Sequence, residues 1–146
     1  MSQSVISVAD QVEASPKRAA APPLRVLVVE DMILVRKRII ATLAAERALA
    51  VVGEASSCAE AQALIVGAKP DVLVTDIGLP GTPEVRNGIE LIAWALARDP
   101  RLRVVVLTNY SDEAYRRASL RAGASAFLDK SSEFTDLPAA ILSATR

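Results

Sequence analysis

Leu24-Arg25-Val26-Leu27-Val28-Val29-Glu30-Asp31 is the stretch on which the fold turns. After Arg25, residues 26–29 are aliphatic and mostly β-branched with no polar alternation, as expected of a strand buried on both faces in a parallel sheet. The run stops at two adjacent carboxylates. Working outward, similar runs recur at residues 50–54, 72–75, 103–107 and 126–128, and four of the five are almost uninterruptedly apolar. Between them lie stretches of helical period at 32–47, 58–68, 88–98 and 112–122, with a last short helix over 137–146. Strand and helix alternate five times, so the spacing predicts a (βα)5 α/β unit. Right-handed crossovers then make it a doubly wound five-stranded parallel sheet with helices on both faces.

The connectors carry helix punctuation. Ser56 or Ser57, ahead of Glu60, can cap the second helix. Ser111, followed by Asp112 and Glu113, puts a cap and negative charge at the positive end of the fourth, and Gly123 closes that helix. Lys69-Pro70 and Asp99-Pro100 end the second and third, since proline cannot continue the hydrogen-bond ladder. Pro138 falls in the first turn of the last helix, where it is tolerated.

Composition bounds the chemistry. A chain of 146 residues with 51% apolar content has enough material for one domain with a substantial core. Lys plus Arg and Asp plus Glu both count 17, so no net charge points to a polyanionic partner. Zero histidine removes Ser-His and Cys-His catalysis, His-ligated zinc and imidazole-based pH switching. The single cysteine, Cys58, cannot form an internal disulfide, which suits a reducing, cytoplasmic setting. Neither a membrane-spanning run nor a signal peptide is expected. Residues 1–23, rich in Ser, Ala and Gln and closed by Pro22-Pro23, read as a flexible tail ahead of a domain at 24–146.

The polar residues at the strand ends carry the functional reading. Glu30-Asp31, Asp76, Thr108 and Lys130 stand where the first, third, fourth and fifth runs stop. All therefore sit at the carboxyl edge of the sheet, where open α/β folds bind ligands. Three crowded carboxylates repel one another unless a cation neutralises them, and a hard divalent ion such as Mg²⁺ prefers oxygen donors. Thr108 adds a hydroxyl and Lys130 a compact positive charge. Together they form a pocket suited to a phosphoryl group carried on Asp76.

These residues, in order and each at its own strand end, resemble the receiver domain of bacterial two-component response regulators. The resemblance covers residues 24–146 and implies a flavodoxin-like strand order 2-1-3-4-5. It implies Asp76 as phosphoryl acceptor, and Glu30, Asp31, Asp76 and the Gly78 carbonyl as Mg²⁺ ligands. It also implies Thr108 and Lys130 as the pair that reads the phosphoryl group, and Phe127, with Thr108, as the switch. Pro80 matches a proline soon after the acceptor. The expected function is that of a stand-alone response regulator with no DNA-binding domain. It would take a phosphoryl group from a sensor histidine kinase or phosphotransfer protein, catalyse its own aspartyl phosphorylation and dephosphorylation with Mg²⁺, and signal to an output protein.

Some positions depart from the family pattern. Residues 81–87 lengthen the loop after the acceptor, Ser131 follows Lys130 where many relatives have proline, and Asn109 replaces a small residue at the pocket mouth. The long loop and Asn109 motivate an alternative, an unphosphorylated pseudo-receiver acting as a constitutive interaction module. An aspartyl phosphatase would want a second acid at Gly78, and a flavin protein a hydroxyl-rich loop at Glu30-Asp31-Met32; neither is present. The basic residues Arg36, Lys37 and Arg38, and Arg116, Arg117 and Arg121, read as solvated helix faces. Trp94 reads as packing from the third helix onto the sheet.

Overall fold

A computed structural model describes residues 21–144, so most of the tail expected at residues 1–23 lies outside the described residues. In chain order the elements are β1 (Leu24–Val29), α1 (Ile33–Ala44), β2 (Leu49–Ala55), α2 (Cys58–Ala68) and β3 (Val72–Thr75). They continue with α3 (Gly88–Arg98), β4 (Arg103–Thr108), α4 (Glu113–Ala122), β5 (Ala126–Asp129), a 3-10 turn (Phe134–Asp136) and α5 (Leu137–Ala144). The five strands are parallel in the order β2-β1-β3-β4-β5, as expected.

Strand pleating divides the core into two layers. Leu27, Val29, Leu73, Val104, Val106 and Phe127 point to one face, where Ile65 of α2 and Leu91, Ile92 and Ala95 of α3 cover them. Val26, Val28, Val74, Val105 and Leu107 point to the other, under Ile39 and Leu43 of α1 and Leu137 and Ile141 of α5. The central strands are thus buried on both sides, which is why their sequences lack alternation. Each fully buried Leu or Ile contributes about 1.5–3 kcal/mol of apolar transfer, the main force holding helices to sheet.

Several boundaries differ from the sequence reading, each for a local reason. Helix α1 stops at Ala44 rather than at residue 47. The chain turns there, with the Glu46 amide bonded to the Leu43 carbonyl and the Leu49 amide to that of Glu46, and so enters β2. Ser57 is the cap of α2, its hydroxyl accepting from the Glu60 amide at 3.2 Å. For α4 the cap is Asp112, which accepts from the Tyr115 amide at 3.0 Å, and not Ser111, whose hydroxyl instead helps hold the Asp129 carboxyl low. Gly123 ends α4 at φ +116° and Lys69 ends α2 at φ +48°.

The lengthened loop at residues 81–87 is fastened to the body. Thr82 and Val85 close a turn on each other, and Val85 is buried in the core. The Pro80 carbonyl accepts from the Cys58 amide, and the Asn87 side chain caps α3. Gly88 then lets α3 start flush against the backbone of residues 76 and 77, because a Cβ there would run into the Asp76 carbonyl oxygen. There the Gly88 amide donates to the Ile77 carbonyl at 2.7 Å, which ties the start of α3 to the chain just after Asp76.

Candidate functional site

Strand register brings the expected residues to one edge. Val29 pairs with Thr75, and Thr75 with Val106, so Glu30 and Asp76 leave the sheet side by side. Thr108 pairs with Asp129, and the Lys130 amide donates to the Thr108 carbonyl at 3.0 Å.

Asp76 is 7% exposed. Its Oδ1 accepts from the Ile77 amide at 2.6 Å and its Oδ2 from the Lys130 ammonium at 2.7 Å. Lys130 also lies 2.6 Å from Glu30 Oε1, so one ammonium bridges two carboxylates. Glu30 is 1% exposed, and its Oε2 accepts from the Met32 amide at 3.0 Å. Burial pushes the Glu30 carboxyl above its usual range, against the pull of Lys130 and the Met32 amide. Burial also works against the charge on Lys130, but the bonds to Asp76 and Glu30 outweigh it and hold the ammonium above its usual value.

Asp31, at the mouth, is exposed. Glu30, Asp31 and Asp76 each present an oxygen within 4.8 Å of the others. Three hard donors at that spacing suit an oxygen-loving divalent cation, and the start of α1 beside them adds a favourable dipole for negative charge. Helix α1 has no side-chain cap of its own, and the Glu30 carboxylate meets the Met32 amide there.

Thr108 is fully buried, and its Oγ1 accepts from the Tyr110 amide at 3.1 Å. This leaves the hydroxyl proton free to be donated elsewhere. Gly78 is exposed, and the ring of Tyr110 lies over it; a Cβ at that position would stand 2.7 Å from Tyr110 Cε2. Phe127 is 6% exposed in the core, with the Arg116 guanidinium 5.8 Å from its ring centre. It belongs to the core layer that carries α2 and α3. Trp94 packs against that same layer, with Arg98 over its ring.

Two residues near the pocket escaped the sequence reading. Tyr110 covers the backbone at Gly78, and a glycine two residues beyond Asp76 was the available signal. Arg36 is no solvated side chain. It is 14% exposed, with Nη1 donating to the Glu30 carbonyl and Nε to Glu54, each at 2.8 Å. Arg38, exposed like Lys37, lays its guanidinium over the Phe134 ring, 3.9 Å from its centre.

Among the described residues, no helix is long and apolar enough to cross a membrane. The family model of the response regulator receiver domain matches residues 26–142. The DNA-binding transcriptional activator DevR/DosR of Mycobacterium tuberculosis is 44% identical over 119 residues, 81% of this chain and 52% of the relative. Response regulator GacA of Pseudomonas aeruginosa is 32% identical over 118 residues, 81% of this chain and 53% of the relative. The chain thus spans about half the length of these curated relatives. Among solved structures, the signal receiver domain of NarL from Mycobacterium tuberculosis is similar at a TM-score of 0.78 and 30% identity, covering 86% of this chain and 98% of that one. The isolated REC domain of RcsB from Salmonella enterica serovar Typhimurium, with phosphomimetic BeF3⁻, has a TM-score of 0.76 at 27% identity, covering 82% of this chain and 86% of that one. With its five-stranded sheet in the order 2-1-3-4-5 and its acids at the carboxyl edge, the chain belongs to the response regulator receiver domain family.

Proposed function

We propose that Asp76 accepts a phosphoryl group from a phosphohistidine on a sensor kinase or phosphotransfer protein, and that the modified domain signals through a protein-protein contact. The observation that carries this reading is the Asp76 carboxylate itself. It stands at the end of β3 with one oxygen on the Ile77 amide, the other on Lys130, and two more carboxylates beside it. An Asp76 oxygen attacks phosphorus, the P–N bond of the donor breaks, and the donor imidazole keeps the electron pair and takes up a proton. This chain contains no histidine, so the donor imidazole is not its own.

Glu30, Asp31 and Asp76, with the Gly78 carbonyl, would hold a Mg²⁺ ion. When bound, that ion neutralises charge on the transferring oxygens. Lys130 supplies a second positive charge to those oxygens from a buried, pre-set position, which makes it worth more than in water. The Thr108 hydroxyl donates a hydrogen bond to a phosphoryl oxygen. The same residues stabilise attack of water on phosphorus, in which the P–O bond to Asp76 breaks, the Asp76 carboxylate leaves and inorganic phosphate forms, and so govern loss of the group. Movement of Thr108 toward the phosphoryl group and rearrangement around Phe127 carry the change to the face formed by α4, β5 and α5, where an output partner binds.

The test is labelling with acetyl phosphate and Mg²⁺, read by intact mass and phosphate-affinity gels. The wild type is expected to gain one phosphoryl group and Asp76→Asn none. No gain in the wild type, or an equal gain in the variant, defeats the proposal.

A further inference from the structure

Within the site just read, and resting on that reading, we infer that Arg36 is a positioning residue: anchored by Glu54, it holds the peptide between Glu30 and Asp31 in the orientation a small divalent cation requires.

Arg36 lies in the first turn of α1, next to the exposed Lys37 and Arg38, yet its own side chain is 14% exposed. Its planar fork spans two bonds at once. Nη1 donates to the main-chain carbonyl of Glu30 and Nε to Glu54 Oε1, each at 2.8 Å. A guanidinium held at two points cannot swing, so the direction in which it pulls the carbonyl is set by β2, which carries Glu54.

That carbonyl is a sensitive handle. The β1–β3 rungs end with Val29 opposite Thr75, and the Glu30 carbonyl comes one residue later. It belongs to the peptide that joins the two acids, and peptide planarity transmits its orientation to the Asp31 backbone. The Glu30 side chain is fixed independently, by Met32 and Lys130. Arg36 is thus the tie acting on the main chain at the point where Asp31, the exposed acid of the cluster, departs.

Charge alone does not explain the placement, since a cation beside a cation site weakens it. Glu54 offsets that charge, and what remains is geometry. Mg²⁺ demands near-ideal octahedral coordination at short distance, whereas Ca²⁺ accepts six to eight oxygens in flexible arrangements. Partners that orient ligands typically change metal affinity by 10–100-fold when removed. The signature of a positioning role is therefore a loss that falls on Mg²⁺ more than on Ca²⁺. Simple destabilisation of the fold would not discriminate between the two ions.

The experiment is calorimetric titration of the full chain with Mg²⁺ and separately with Ca²⁺, with urea melts as a control for folding. Arg36→Met is expected to weaken Mg²⁺ by about tenfold or more and Ca²⁺ by about threefold or less. The double variant Arg36→Met/Glu54→Gln, which removes both charges, is expected to keep the Mg²⁺ defect. Glu54→Gln alone, at a half-exposed position that folding tolerates, is expected to show a smaller defect with the same ion preference. It carries the test if Arg36→Met does not fold. An unchanged Mg²⁺-to-Ca²⁺ ratio in these variants, or recovery of Mg²⁺ binding in the double variant, overturns the assignment. A wild type that binds no Mg²⁺ and accepts no phosphoryl group would instead defeat the reading of the site. A wild type that does both while the variants match it defeats the role of Arg36 alone.

Discussion

Replacing Lys130 by methionine should destabilise the fold by an amount that shrinks steadily as pH falls. Lys130 lies 2.6 Å from Glu30 and 2.7 Å from Asp76, and the three side chains are 10%, 1% and 9% exposed. Methionine keeps much of the stem's packing but leaves two buried carboxylates facing each other without a cation. Breaking a buried ion pair from one side ordinarily costs about 3–5 kcal/mol. Here a relief is at hand, because Glu30 is already pushed upward by burial and can take a proton. From an ordinary value of 4.5, protonating that carboxyl at pH 7 costs about 3.4 kcal/mol, at roughly 1.4 kcal/mol per pH unit. The Glu30 share of the loss is thus limited to about 3 kcal/mol at pH 7, about 2 at pH 6 and under about 1 at pH 5, on top of a pH-independent share from the lost Asp76 bond. The sign follows from linkage: a carboxyl whose folded pKa exceeds its unfolded value binds its proton more tightly when folded, so falling pH favours the fold. Urea melts of wild type and Lys130→Met at pH 5, 6 and 7, in EDTA, measure the difference directly. Adding Mg²⁺ at pH 7 should return more stability to the variant than to the wild type, because an uncompensated anion pair binds a cation more tightly. A deficit that is the same at pH 5 and pH 7, or a variant as stable as wild type at pH 7, would refute the idea that Lys130 neutralises this pair.

Two further outcomes test the pocket's surroundings. Gly78→Ala should turn the Tyr110 ring aside at a cost within about 0.5 kcal/mol, because the new Cβ would lie 2.7 Å from Tyr110 Cε2 and that ring is 50% exposed and can swing away. Aromatic NMR shifts should show the Tyr110 ring displaced in the variant, and an unmoved ring would contradict the contact. Ser111→Ala should let Asp129 titrate nearer its ordinary 3.8, since the Ser111 hydroxyl is the foremost of the groups that hold it at about 2. Carboxyl-carbon NMR against pH would show the change, while the α4 cap at Asp112 stays in place.

What the sequence disclosed, and what it hid, divides along physical lines. The strands were legible because a central parallel strand must be apolar on both faces, and Val26–Val29, Val72–Thr75 and Val104–Leu107 have no other use for so many β-branched residues. The acids, Thr108 and Lys130 were legible for the complementary reason. A polar residue that breaks such a run stands at the strand's end, and parallel strands put all their ends on one edge. Ser111 and Asp112 are both competent caps for α4 in the sequence, and only the structure shows that Asp112 takes the Tyr115 amide. Arg36 and Tyr110 lay beyond reach in the same way. Each acts through a partner distant in the chain, Glu54 and Gly78, and neither leaves a periodic trace.

That division bears on how such a site is built. Groups that contact a transferring phosphoryl directly must stand at fixed heights above the sheet, so the register dictates where they occur in the chain. Their supports face no such demand. A guanidinium can reach the Glu30 carbonyl from any nearby turn that offers it an anion, and a ring can cover Gly78 from any neighbouring loop. Supports can therefore be exchanged while Asp76, the other two acids and Lys130 keep their places. Under the roles proposed above, cation preference rests with Arg36 and Glu54, and cover over the backbone at Gly78 with Tyr110. Exchanging those four residues should alter the affinity for Mg²⁺ and the lifetime of the phosphoryl group while leaving the site of modification unchanged.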